Sequence, residues 1–198
     1  MSSAKNKIQA IDKTSIHRIC SGQVILSLSL AVKELVENSL DAGATRIDVR
    51  TNEHGSDLIQ ISDNGSGIDP SNYESLALKH FTSKIKDFKD LETLSTFGFR
   101  GEALSSLCAL ADLTVTTMCA SDAVGTQLEY DKSGNLTTTN VVARNKGTTV
   151  SLQGLFKTLP VRYKAFQKNL KREYANCDAP QLLRPRRHGR QVHLHQPQ

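Results

Sequence analysis

Apolar positions in this chain change period several times, and each change marks an element. From Leu28, the residues Leu28, Val32, Leu35 and Val36 form one stripe at helical spacing, so the run into Asp41 and Gly43 reads as an amphipathic helix. After the turn at Gly43, Arg46-Ile47-Asp48-Val49-Arg50 alternates with period two, as a half-buried strand does. Gly55 signals a second turn, and Leu58-Ile59-Gln60-Ile61-Ser62 alternates again. Asp69-Pro70 has the N-cap and first-turn residues of another helix, predicted to run to about His80. Further on, Glu102 to Leu110 is a run of good helix formers. Leu113–Met118, Thr126–Tyr130 and Thr148–Leu152 are strand candidates, and Ser133-Gly134-Asn135 is a hairpin turn. The segment with Arg162, Lys164, Lys168, Lys171 and Arg172 reads as a helix. Strands joined by hairpins imply antiparallel pairing. Helices before and between them can cover one sheet face, giving a two-layer α/β sandwich.

Three polar constellations sit on this framework. On the first helix, Glu34, Asn38 and Asp41 fall at i, i+4 and i+7 and share a face. Acidic groups late in a helix oppose its dipole. Either the face is simply solvated, or its carboxylate and amide serve to activate a water and hold a metal ion. At the end of the second strand stands Asp63-Asn64-Gly65-Ser66-Gly67. Asp, Asn and Gly are ordinary turn residues. A carboxylate there can also accept from an exocyclic amino group such as adenine N6, while the glycines let backbone approach a flat ligand. The third is Gly98-Phe99-Arg100-Gly101-Glu102-Ala103-Leu104, two glycines ahead of a helix. It is either a hinge or a phosphate cradle built from helix-start amides, with Arg100 adding charge. Its spacing fits neither a Walker A loop nor G-x-G-x-x-G.

Taken together, Glu34-x-x-x-Asn38, Asp63-x-Gly65-x-Gly67, Gly98 to Leu104 and Gly147-Thr148-Thr149 resemble the four nucleotide-binding motifs of the GHKL ATPases, whose members include DNA gyrase B, Hsp90, sensor histidine kinases and MutL. The strings Val32 to Ala44, Thr82-Ser83-Lys84 and Gly98 to Leu104 resemble those of the MutL mismatch-repair proteins. Ile19 to Val24, Leu104 to Ala109 and Leu159 to Arg162 point to their PMS branch. The resemblance spans about residues 8 to 175. It implies the GHKL (Bergerat) fold, a two-layer α/β sandwich with a mixed, largely antiparallel sheet. It also implies ATP and Mg²⁺ as cofactors. Glu34 would be the general base, Asn38 the Mg²⁺ ligand, and Asp63 the adenine reader, with Gly65 and Gly67 allowing close approach. Thr82, Ser83 and Lys84, with Arg100, Gly101, Glu102, Ala103 and Leu104, would belong to the lid over the phosphates. Thr149 would help hold the adenine end. In this family ATP orders the lid and drives two such domains together, and hydrolysis releases them. The partners implied are a second MutL homologue, a MutS-type mismatch-recognition complex and DNA contacted largely without sequence specificity; the location implied is the nucleus. The alternative reading is a non-hydrolysing DNA-binding or dimerisation module, or an inactive truncated product.

Composition fits a folded domain: 38% of the 198 residues are hydrophobic and 23% charged. No apolar run is long enough for a membrane span, and the first seven residues, read as a flexible lead-in, lack a signal-peptide core. The four cysteines show no metal spacing and read as reduced thiols. The net charge is +5. In residues 176–198 four arginines stand against one aspartate, which leaves +2 for the rest. The basic residues from Arg162 to Arg172 are either a patch for DNA phosphates or a solvated helix face. Residues 176–198 have no periodicity and hold three of the five prolines, so the expectation is a disordered basic tail. In MutL-like proteins a second, transducer domain follows here and supplies a lysine to the γ-phosphate. Without it, ATP hydrolysis is expected to be weak.

Overall fold

Described here is a computed structural model covering residues 10–81, 101–177 and 191–195. Helix α1 (Lys13–Val24) and helix α2 (Leu28–Asp41) begin at side-chain caps: Asp12 accepts from the Ser15 amide at 2.8 Å, and Ser27 from the Leu30 amide at 3.1 Å. Strands β1 (Arg46–Asn52) and β2 (Leu58–Asp63) follow. Helix α3 (Ala103–Leu110) leads into β3 (Asp112–Met118), β4 (Gly125–Tyr130), β5 (Leu136–Val142) and β6 (Gly147–Gln153). Helices α4 (Pro160–Lys168) and α5 (Leu170–Cys177) precede a last described strand, β7 (Gln191–His195).

The strands form one sheet in the order β5-β4-β3-β6-β2-β1-β7, antiparallel throughout except for the parallel β1–β7 pair. Helices cover one face. Ile47, Val49, Ile59, Ile61, Leu113, Val115, Leu128 and Leu152 point into the core from the strands; Ala31, Val32, Leu35 and Val36 of α2 and Leu107 and Leu110 of α3 meet them. This is the predicted two-layer α/β sandwich, and the helical stripe and strand alternation that predicted it are the residues that are buried. No single described helix is long and apolar enough to cross a membrane.

Three expectations need correction. The helix predicted from Asp69 to His80 is only a 3-10 turn, Pro70–Asn72, followed by further turns. The carbonyl of Tyr73, which a helix would give to a backbone amide, instead accepts from the Tyr130 hydroxyl at 2.8 Å, and Gly134 of the β4–β5 turn presses against Ala77. Tertiary contacts thus take the groups a helix needs. The single basic helix is broken at Asn169, whose side-chain amide donates to the Ala165 carbonyl, so α4 and α5 are separate. Arg162 also leaves the basic patch: its guanidinium donates to the Gly22 carbonyl and lies over the Phe156 ring, 4.3 Å from the centroid. The third concerns the tail. Residues 191–195 are ordered as β7, whose Gln-Val-His-Leu-His alternation completes the otherwise open edge of β1.

Candidate nucleotide site

Asp63 is the last residue of β2, and strand parity decides where it points. In the register Asp63 pairs with buried Ile47, so its side chain lies on the helix-covered face. There it joins α2 to the sheet. Its Oδ2 accepts from the Ser39 hydroxyl of α2 at 2.8 Å. Its Oδ1 accepts from the Gly65 amide at 2.8 Å and the Thr148 amide at 3.2 Å. Ser39 is the immediate neighbour of Asn38, so one bond ties the carboxylate to the helix that bears Glu34 and Asn38. Both of these are half-buried beside the apolar stripe. Glu34, Asn38 and Asp41 occupy the shared face that their spacing predicts.

The loop after Asp63 is held by close backbone approach. At Gly65 a Cβ would lie 2.9 Å from the Ala42 carbonyl oxygen. Gly67, at φ +80°, has its missing Cβ directed into the Met118–Cys119 backbone. The next amide, Ile68 N–H, donates to the Thr117 hydroxyl at 2.9 Å. Thr117 is fully buried. It also lies 3.3 Å from the Gly147 carbonyl and 3.2 Å from the Thr148 hydroxyl. Gly147, at φ +127°, passes so close to the Asp63 carbonyl that a side chain would collide with it. The D-x-G-x-G segment and the Gly-Thr-Thr segment, 80 residues apart in sequence, are therefore one structural unit.

The two threonines of the Gly-Thr-Thr segment lie on opposite faces of the sheet. Thr149 pairs with Ser62 across β6–β2, and their hydroxyls meet at 2.8 Å on the open face of the sheet. There Thr149 also accepts from the Arg144 guanidinium. Its neighbour Thr148 faces the helix side with Asp63. Ser39 and Thr148 bond Asp63, and Thr117 bonds Thr148, so all three join the candidate site by contact although motif reading does not single out Ser39 or Thr117. Strand alternation holds the signal for Thr148, but it becomes readable only once the β2–β6 register is known.

Gly101 (φ +60°), Glu102, Ala103 and Leu104 lie at the start of α3. The His80 amide donates to the Gly101 carbonyl at 3.1 Å, and a Cβ on Gly101 would collide with the Phe81 carbonyl. The chain on either side of residues 82–100 is therefore brought together here. Glu102 makes no side-chain cap, so the first-turn amides of α3 are not taken by their N-cap residue. Thr82, Ser83, Lys84 and Arg100 lie outside the described residues.

Residues 26–155 match a family described as histidine kinase-, DNA gyrase B- and HSP90-like ATPase. The chain is 62% identical over 168 residues to the mismatch repair endonuclease PMS2 of Gallus gallus, a match covering 85% of this chain and 19% of that protein. Among solved structures it resembles the N-terminal domain of a DNA repair protein at 52% identity and TM-score 0.71, covering 82% of this chain and 46% of that one. It also resembles the Aquifex aeolicus MutL ATPase domain complexed with ADP at 29% identity and TM-score 0.56, covering 76% and 51%. The chain spans about a fifth of the length of the curated relatives it matches.

Proposed function

Because the chain belongs to the histidine kinase-, DNA gyrase B- and HSP90-like ATPase family, we propose that it binds ATP with Mg²⁺ on the helix-covered side of its sheet and hydrolyses it, as the nucleotide-handling domain of a MutL-type mismatch-repair protein. The observation that carries this is the clamp on Asp63. A carboxylate offers about four lone-pair sites. Among the described residues Ser39, Gly65 and Thr148 donate to three of them. The acceptor that remains, on Oδ2, suits the exocyclic amino group of adenine. Gly67, lacking a Cβ, lets the loop after Asp63 pack against the Met118–Cys119 backbone, which holds that loop in place beside the carboxylate.

The roles of the other residues are proposals of the same reading. Glu34 takes the proton from an attacking water. Asn38 would supply the protein oxygen that holds Mg²⁺. Bound Mg²⁺ would neutralise charge developing on the transferred phosphoryl group. The amides from Gly101 to Leu104 receive phosphate oxygens at the start of α3. Thr82, Ser83, Lys84 and Arg100 remain phosphate contacts on sequence grounds. Thr148, in place of Thr149, supplies the hydroxyl at the adenine end. Nucleotide-driven pairing with a second MutL homologue, action with a MutS-type complex on mismatched DNA and a nuclear location follow from the same reading.

Calorimetric titration of the chain with a non-hydrolysable ATP analogue and Mg²⁺ tests it. The expected result is saturable binding that Asp63→Asn weakens and Glu34→Ala keeps, while Glu34→Ala abolishes phosphate release from ATP. Equal affinity in the folded Asp63→Asn chain would refute the assignment.

A further inference from the structure

The face of the sheet away from the helices has a cleft of about 340 Å³ at the C-terminal end of β2, lined in part by Arg46, Asp48, Asn64, Arg144 and Lys146. Three cations share it with two carboxylates, Asp48 and Asp63, and both carboxylates are engaged. Asp48 accepts from Arg46 Nε at 3.0 Å and lies 3.3 Å from His195 Nε2 of β7. Asp63 is committed to the donors of the helix-covered face.

Arg144 is differently placed. It is half-buried, and among the described residues its hydrogen bonds go to neutral acceptors only. Its Nε donates to the Gly147 carbonyl at 3.2 Å, and its Nη1 to the Thr149 hydroxyl. A guanidinium has five N–H donors, so the larger part of this fork is unspent within the cleft. Burial lowers the basicity of Arg144, and the charge of Asp63 only partly opposes that effect. A half-buried cation bonded only to neutral groups is stabilised by any anion that can reach it. Lys146, exposed on the same loop, adds a second charge two residues away. The fork geometry matches phosphate oxygens, and the cleft holds a group of that size.

We propose that this cleft is an anion site that takes a phosphate group, free or within a nucleic-acid backbone, with Arg144 and Lys146 as its main contacts. It lies behind the proposed nucleotide site, across the Gly147–Thr149 segment, and the two adjoin at Asp63, whose acceptors are spent largely on the helix-covered side. An occupant draws on the same guanidinium that braces Gly147 and Thr149. Phosphate contacts of this kind position a backbone without reading its sequence, and among the described residues no aromatic side chain lines the cleft to stack a base.

The test is an amide-resolved NMR titration of the full chain, without nucleotide and at constant ionic strength. One arm uses inorganic phosphate and the other a short duplex of arbitrary sequence. The expected result is saturable shifts at Arg46, Ser62, Asn64 and Asn145, with the midpoint about tenfold weaker in Arg144→Gln/Lys146→Gln, the change expected when charge-assisted bonds are lost. Saturation by phosphate alone identifies a small anion. Saturation of the same amides by duplex at lower concentration identifies a phosphodiester backbone. If Arg144→Gln disturbs folding, the exposed Arg46→Gln/Lys146→Gln pair carries the test and should weaken binding several-fold. Linear shifts in both arms, shifts confined to Glu34, Asn38 and their neighbours on α2, or a midpoint unchanged in the folded variants would overturn the proposal. Because no nucleotide is present, none of these outcomes depends on whether ATP binds.

Discussion

The two faces of this sheet are built from the same strands and have opposite characters. On β2, Ile59, Ile61 and Asp63 point to the helices, while Gln60 and Ser62 point away. On β6, Thr148 faces Asp63, and Thr149 bonds Ser62 on the far side. The covered face carries a carboxylate fixed by three donors and pressed by glycine backbone. The open face carries hydroxyls, arginines and a cleft. One residue of offset therefore separates the proposed nucleotide-reading surface from the surface proposed to take a separate anion. The proximity of a residue to a motif does not tell which face it serves; its parity in the strand does.

The largest effect that can break this comparison is expected from Gly147→Val. Its side chain would meet the Asp63 carbonyl, and φ +127° is poorly tolerated by a β-branched residue. Strain and overpacking together should cost about 3 kcal/mol, measured by chemical denaturation, with no nucleotide binding detectable. Asp63→Asn comes next. It replaces a charged acceptor with an amide whose NH₂ faces donors, and should weaken nucleotide binding roughly 10- to 100-fold in titration calorimetry. Ser39→Ala removes one of the three donors and sharpens the comparison: about 1 kcal/mol, or roughly a fivefold loss of affinity, with the fold intact by circular dichroism. The smallest effect is expected at the far edge. Removing residues 178–198 takes away β7, whose Val192 packs partly against the core. Stability should fall by about 1 kcal/mol, and light scattering should show increased self-association through the opened β1 edge.

Features written in local pattern were legible in the sequence. The stripe Leu28-Val32-Leu35-Val36, the alternation of β1 and β2 and the turn at Ser133-Gly134-Asn135 each need only neighbouring residues to be read. Asp63, Gly65 and Gly67 could be singled out because a carboxylate and glycines at that spacing have a chemical use wherever the strand ends. What escaped depends on distant partners. The Asp69–His80 segment has the signals of a helix start, but the hydroxyl of Tyr130 takes a carbonyl that the helix requires. Which of Thr148 and Thr149 shares a face with Asp63 depends on the β2–β6 register, a long-range property. The Ser39–Asp63 bond joins residues 24 positions apart on different elements. The tail carries a period-two run of only five residues, and its reason to be a strand exists only after β1 has formed an edge to receive it.

The most direct test of the two-faced account is a paired titration of Thr148→Val and Thr149→Val with the non-hydrolysable ATP analogue and Mg²⁺. The two substitutions are chemically identical and adjacent, and Thr117 keeps its contacts to Ile68 and Gly147 in both. The expected result is about a tenfold loss of affinity for Thr148→Val and no change beyond about twofold for Thr149→Val. The reverse order, or equal losses in two folded variants, would contradict the assignment of the nucleotide to the helix-covered face.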